Sequence, residues 1–352
     1  MTLAPALARA SLALEVTTRC AWRCAHCYNP GPEDAAAPRE ELPAAELVGL
    51  TRAALQASGR RRVQVTGGEP LQRDDLLSIL RGLRQGGAQL SLATSGDGLD
   101  TPLARELARL GVGPVQLSLL AARRELHDRL KGPGSFDSTL GAIGHLRRQG
   151  LPVSVAFVCR QDNAGEFAGV LELCHALGVP AIAFNRLCLA GGRSVHSAAL
   201  SASPAQLRGC LDLAEWAVVR LGLRVQVAIT LPHCLVDTAR TPHLRFGGCS
   251  LASDVPGYTL DPAGNLRACS ISSTVLGNLG QESWDAIVAR ARREYFPART
   301  ALSAACRACA QRARCRGGCR ETAWSLHRAP GGDDPLARSE EHTSELQSRV
   351  DI

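Results

Sequence analysis

The sequence predicts an α/β protein: a partial (β/α)6 TIM-type barrel followed by a cysteine-rich C-terminal domain. Three observations carry that expectation. Short strand-like runs rich in Val, Leu and Ala, some alternating with polar residues, recur six times between residues 12 and 184 and are joined by helical patterns, the arrangement of parallel strands with crossover helices. Polar residues suited to ligand contact (Cys27, Glu69, Ser95, Ser118 and Arg186) fall at or near the C-terminal ends of those runs, where barrel enzymes place their sites. Nine of the fourteen cysteines fall in two groups, 20–27 and 249–319.

The first strand is expected at 12–16, followed by a helix at 43–58 and a strand at 62–66. Further strands are expected at 89–93, 115–119, 152–158 and 181–184, with helices at 103–110 and 123–130. Ser135 or Asp137 is an N-cap signal for another helix running to Gln149. A helix at 204–221, a strand at 224–229 and a hairpin with a Pro/Gly turn at 257–269 complete the pattern. The expected boundaries are a barrel at 8–200, a connecting region at 201–245 and a cysteine-rich domain at 246–337. Residues 338–352 resemble a translated sequencing adapter and are left out of fold and function reasoning.

At 352 residues, 45% hydrophobic and 21% charged, the composition is that of a soluble globular chain. Aromatics make up 4%, so packing rests on Leu, Val and Ala. The net charge of +7 comes almost wholly from arginine, Lys131 being the sole lysine. These arginines form no stripe with interleaved aromatics, so no nucleic-acid partner is expected. No signal peptide or membrane-length apolar run is present, and a reducing cytoplasmic location is expected.

The chemistry centres on Cys20-Ala-Trp-Arg-Cys24-Ala-His-Cys27-Tyr28. Three thiols in eight residues can wrap one compact metal centre. A fully protein-ligated [4Fe–4S] cluster takes four cysteines, and no fourth lies nearby, which would leave one iron open to a small molecule. The loop alone is also compatible with zinc, and less readily with three buried thiols. The motif resembles the C-x3-C-x2-C signature of the radical S-adenosylmethionine superfamily. That resemblance implies a cluster on Cys20, Cys24 and Cys27 that reductively cleaves S-adenosylmethionine to a 5′-deoxyadenosyl radical. It also implies that Gly67-Gly68-Glu69 contacts the methionine amino group and that Ser95 faces the ribose. Ser118 and Arg186 are further cofactor-binding candidates by their strand-end positions, although the Asp-Gly that often follows the Ser118 position is replaced by Leu120-Ala121.

The second cysteine group reads Cys249-x14-Gly264-x4-Cys269, then Cys306-x2-Cys309-x5-Cys315-x3-Cys319. Four cysteines at the latter spacing alone suggest zinc first. With the upstream pair, the pattern resembles the SPASM extension, whose domains hold auxiliary iron–sulfur clusters. By that resemblance Cys249, Cys269 and Cys319 serve a first auxiliary cluster, and Cys306, Cys309 and Cys315 a second. Cys234 is a possible completing ligand but is read as structural, as are Cys159, Cys174, Cys188 and Cys210. The pattern's last cysteine is missing near Asp334-Pro335-Leu336, where the adapter-like text begins. The expected function is modification of a peptide or protein side chain, with an electron donor such as flavodoxin or ferredoxin. A separate leader-peptide-binding protein is expected if a leader is recognised. Tetrapyrrole chemistry on the same scaffold, or a non-catalytic zinc or iron–sulfur scaffold, are the alternatives.

Overall fold

The computed structural model describes residues 10–29, 40–191, 197–236, 238 and 240–337. Its frame is one sheet of eleven strands. The first six are β1 (Ser11–Glu15), β2 (Arg62–Thr66), β3 (Gln89–Thr94), β4 (Val115–Ser118), β5 (Val153–Cys159) and β6 (Ala181–Arg186), each parallel to the next. The helices between them are α1 (Ala44–Ser58), α2 (Leu76–Gln85), α3 (Thr101–Arg109), α4 (Arg124–Lys131), α5 (Ser135–Arg148) and α6 (Phe167–Ala176). This is the expected open, partial barrel.

The alternation in the strands has a simple cause. In β2, β4 and β5 alternate positions (Val63, Val65, Val115, Leu117, Val153, Val155 and Phe157) are buried, whereas the residues between them are half-buried. Successive side chains point to opposite faces, so one face packs under the helices and the other lines a lumen. Gln64, Thr66, Gln116, Ser118 and Ala156 all border the cavity there. On the helical side Phe157, Phe167 and Phe184 stack with centroids 4.8 to 6.2 Å apart, fixing α6 against β5 and β6.

Helix α7 (Pro204–Leu221) starts on a capping box, Ser203 and Gln206 bonding each other's backbone, and stops at Gly222. Strands β7 (Arg224–Val227) and β8 (Arg245–Phe246) then extend the parallel sheet beyond β6. The hairpin of β9 (Tyr258–Leu260) and β10 (Asn265–Arg267), with β11 (Val275–Asn278) beyond it, joins the opposite edge by pairing β9 parallel to β1. Sheet hydrogen bonding therefore crosses both boundaries expected near 200 and 245. Helices α8 (Trp284–Thr300), α9 (Ala304–Ala308), α10 (Arg312–Cys315) and α11 (Arg320–His327) follow. The sequence pattern did not reveal α8.

Two buried ion pairs tie this C-terminal region to the barrel. Glu15 of β1 pairs with Arg267 of β10, both almost without solvent exposure. Arg186, at the end of β6, places Nη1 2.6 Å from both carboxylate oxygens of Asp334. Asp334 also accepts the Cys319 backbone N–H at 2.6 Å. Removing one member of such a pair leaves a buried charge uncompensated, at about 3–5 kcal/mol. Asp334→Ala should therefore lower the denaturation midpoint sharply, whereas Arg186→Met combined with Asp334→Leu should recover much of the loss. A single variant as stable as the parent in chemical denaturation would show that the pair is not holding the two regions together.

Candidate active site

Glycine makes the site possible at the end of β2. The N–H of Gly68 donates to Thr17 O at 2.8 Å and that of Glu69 to Arg19 O at 2.7 Å. A Cβ on Gly68 would lie 2.3 Å from Arg19 O and 2.6 Å from Thr18 O, both backbone atoms. The two glycines thus let the cysteine loop lie against the β2 turn, an approach to the chain's own backbone rather than, as expected, to a ligand alone. Asn29 completes the seam by donating its side-chain amide to Gly67 O.

The carboxylate of Glu69 is 1% exposed and joins β2 to β3. Its Oε1 accepts from Thr94 Oγ1 at 2.5 Å and Leu71 N at 3.1 Å, and its Oε2 from Ser95 N at 2.6 Å. An ionised carboxylate has about four acceptor positions, so one remains for a further donor. Trp22 lies over Gly132, where any Cβ would meet its ring at 2.3 Å, and donates Nε1–H to Ser95 Oγ at 3.1 Å. Tyr28 hydrogen-bonds with Ser270, next to Cys269. Arg160 Nη1 lies 3.1 Å from His26 Nδ1. Because guanidinium only donates, Nδ1 accepts and the proton sits on Nε2. Burial, then Arg160, pushes the His26 pKa down to about 3, so the ring between Cys24 and Cys27 is neutral.

Cys20, Cys24, Cys27, Gly67, Gly68, Glu69, Ser95, Ser118 and Arg186 all border one cavity of ≈480 Å³. Sequence reasoning missed Lys131, which also borders it. Its ammonium reaches Ser95 O at 3.1 Å, Thr139 Oγ1 at 3.2 Å and Ser118 O at 3.5 Å, joining the ends of β3 and β4 to α5. Burial lowers its pKa, opposed by Cys24 and Glu69. Its being the only lysine was the available signal. Arg186 borders the cavity as expected of a strand-end residue and has a second role: its Nη1 is engaged by Asp334 and its Nε by Leu187 O, so it also clamps the C-terminal region.

The far side of the same cavity is bordered by Cys249, Cys269 and Cys319. Cys188, expected to be merely structural, borders it too, and its thiol hydrogen-bonds with that of Cys319. That bond, aided by Arg186 and opposed by burial, favours the Cys319 thiolate. Cys306, Cys309 and Cys315 lie outside this cavity, on and around α9 and α10. Cys306 Sγ is 3.5 Å from Asp333 Oδ1, and Cys315 Sγ accepts the His233 N–H at 3.3 Å. Beside them is a second cavity, bordered by His233, Phe246 and Arg314.

The model of the radical SAM superfamily matches residues 14–174. This span holds the three-thiol loop, the Gly-Gly-Glu turn and Lys131. Its barrel is a radical SAM domain. It is 29% identical to the PqqA peptide cyclase of Methylocella silvestris, over 92% of this chain and 86% of the relative. It is 28% identical to the pre-heme d1 synthase of Dinoroseobacter shibae, over 91% and 84%. Its fold is similar to that of Streptococcus suis SuiB, solved bound to precursor peptide SuiA (TM-score 0.71, 14% identity, 94% of this chain and 76% of that one) and bound to S-adenosylmethionine (TM-score 0.73, 16% identity, 94% and 77%). These relatives and the C-terminal cysteine pattern fit the SPASM-type branch.

The superfamily's cofactors are S-adenosylmethionine and a [4Fe–4S] cluster, and the donor set fits both. Three soft thiols from one loop suit iron–sulfur ligation, and Glu69 and Lys131 at the cavity beside them offer an acceptor and a cation. Among the described residues no group of three His, Cys, Asp or Glu side chains is arranged to hold a metal ion. Burial pushes the Cys24 thiol up to about 12, and ligation must remove that proton. The close packing at the β2 turn yields a direct test. Gly68→Ala should cost about 1–3 kcal/mol as an overpacked site and displace the loop, so thermal melting and iron content after anaerobic reconstitution should both fall. A variant equal to the parent in both would refute the argument from close approach.

Proposed function

We propose that this radical SAM enzyme modifies a peptide or protein side chain, and that its C-terminal region carries auxiliary iron–sulfur clusters. The observation that carries the reading is the single cavity, which joins the three-thiol loop and the Gly-Gly-Glu turn to a second set of thiols. The match to peptide cyclases over more than nine-tenths of the chain supports it. Cys20, Cys24 and Cys27 would hold the catalytic cluster. Cys249, Cys269 and Cys319 would serve a first auxiliary cluster, and Cys306, Cys309 and Cys315 a second. When bound, the catalytic cluster supplies the electron that splits S-adenosylmethionine into methionine and a 5′-deoxyadenosyl radical able to take a hydrogen atom from the substrate.

The chain's own residues position and shield. Glu69 offers its remaining acceptor position to the methionine amine, held in place by Thr94 and Ser95. Lys131 brings positive charge toward the ligand carboxylate while its three protein acceptors keep it fixed. Ser95 and Ser118 supply polar groups at adjacent strand ends. An electron donor such as a flavodoxin or ferredoxin completes the cycle, and a separate leader-peptide-binding protein is a further candidate partner. None of the fourteen cysteines is in a disulfide, which suits a reducing cytoplasm, and among the described residues no helix is long and apolar enough to cross a membrane. Tetrapyrrole chemistry is the second reading, favoured by the match to a pre-heme d1 synthase.

Reduced, reconstituted protein supplied with S-adenosylmethionine should release 5′-deoxyadenosine, and the triple Cys20/Cys24/Cys27→Ala variant should not. Equal release from both would sink the catalytic assignment. Glu69→Ala should weaken S-adenosylmethionine binding at least about tenfold by calorimetry, the loss of a charge-assisted bond of roughly 1.5–3 kcal/mol. Unchanged affinity would confine Glu69 to joining β2 and β3. A mass change in a short precursor peptide encoded beside the enzyme, against none in a porphyrin precursor, would decide between the two substrate readings.

A further inference from the structure

Three cysteines leave a protein-ligated cluster one ligand short, since four are required. Five cysteines were read from the sequence as structural, and the fold separates them. Cys159 and Cys210 face each other at 3.8 Å within the apolar core, and Cys174 is buried there too. Cys234 is exposed and is not among the residues bordering the central cavity. Cys188 differs. It is 4% exposed, borders the cavity together with Cys249, Cys269 and Cys319, and shares a thiol–thiol hydrogen bond with Cys319.

The backbone at this point is also held. Cys188 lies two residues beyond Arg186, whose partner Asp334 accepts the Cys319 N–H. One carboxylate therefore fixes both cysteine-bearing segments, β6 with its extension and the start of α11. Thr322 Oγ1 donates to Cys319 Sγ at 3.4 Å, a hydrogen bond that suits a ligating thiolate.

We propose that Cys188 is the fourth thiolate of the auxiliary cluster on Cys249, Cys269 and Cys319, so that the barrel itself supplies a ligand to the C-terminal cluster. The inference rests on the proposal that this auxiliary cluster exists. Each of the four thiols gives up its proton on binding iron, and no change of oxidation state is needed for ligation itself. A site closed by four thiolates would leave no iron of that cluster open to substrate, in contrast to the catalytic cluster.

The test uses the full chain carrying the Cys20/Cys24/Cys27→Ala changes, so that iron bound on anaerobic reconstitution reports auxiliary sites alone. Iron, acid-labile sulfide and the electron paramagnetic resonance spectrum of the reduced protein are measured. They are compared for this parent, for Cys188→Ser and Cys319→Ser in it, and for Cys174→Ser as a buried control. Cys188→Ser should lose one cluster's iron, or yield it to a chelator faster by more than the roughly 10–100-fold that losing an outer-shell partner costs, with an altered spectrum. Cys319→Ser should behave alike and Cys174→Ser like the parent. Melting of the chelator-stripped proteins separates ligand loss from misfolding, since serine nearly preserves the volume. A parent without iron would remove the auxiliary-cluster reading, and this proposal with it. A parent with iron, a Cys319→Ser protein that loses it and a Cys188→Ser protein indistinguishable from the parent would overturn the Cys188 assignment alone.

Discussion

Strand β1 is hydrogen-bonded along both edges to parallel neighbours, Leu12 to Leu14 facing Val63 to Val65 on one side and Tyr258 to Leu260 on the other. This double pairing is the constraint on which the site depends. The cysteine loop leaves the sheet from the end of β1, so its base is fixed by β2 of the barrel and β9 of the C-terminal region together. Parallel pairing also puts the ends of β2 and β9 at the same edge of the sheet as the end of β1. The Gly-Gly-Glu turn is thereby brought to one flank of the loop, while β10 runs back antiparallel to β9 and leads to Cys269, which borders the same cavity. A one-residue slip of β1 would turn its side chains to the wrong face, moving Glu15 away from Arg267 and Leu14 out of the core.

Polar contacts then set the site's dimensions. Glu69 spans β2 and β3, Lys131 spans β3, β4 and α5, and Asp334 spans β6 and α11. Each is a charged group taken out of water and given several partners, which is how burial of a charge is tolerated. Well-packed apolar residues could often give equal or greater stability. What these groups add here is position: each ties one or two strand ends to a neighbouring element, and the strand ends carry the site.

Much of this was legible in the sequence because the relevant signals are local. The first strand, the expected strand at 62–66, the helix at 204–221 and the hairpin near 257–269 follow from alternation, caps and turns within single segments. The thiol spacing and Gly67-Gly68-Glu69 are likewise short motifs. What was not legible depends on pairings between distant residues. Arg186 was legible as a strand-end residue, but its role as a clamp was not, since its partner Asp334 is 148 residues away. Cys188 sits in no recognisable spacing, and only the seating of α11 beside β6 brings it to Cys319. The parallel pairing of β9 with β1 joins segments separated by more than two hundred residues, which no periodicity can announce.

The lumen's size bears on what can react there. A cavity of ≈480 Å³ falls within the range of about 300–1,000 Å³ typical of small-ligand sites. Bound S-adenosylmethionine would take up a large part of it, at the end bordered by Cys20, Cys24, Cys27 and Glu69. With an auxiliary cluster on Cys249, Cys269 and Cys319 at the other end, the space left between the two is small, which favours an inserted side chain over a macrocycle lodged whole. Keeping the reacting carbon between two thiol-lined ends, with β-strand side chains closing the flanks, also limits the water that could quench a radical. That limited space agrees with the peptide reading proposed above. One cavity bordered by both sets of thiols would hold a substrate side chain beside S-adenosylmethionine.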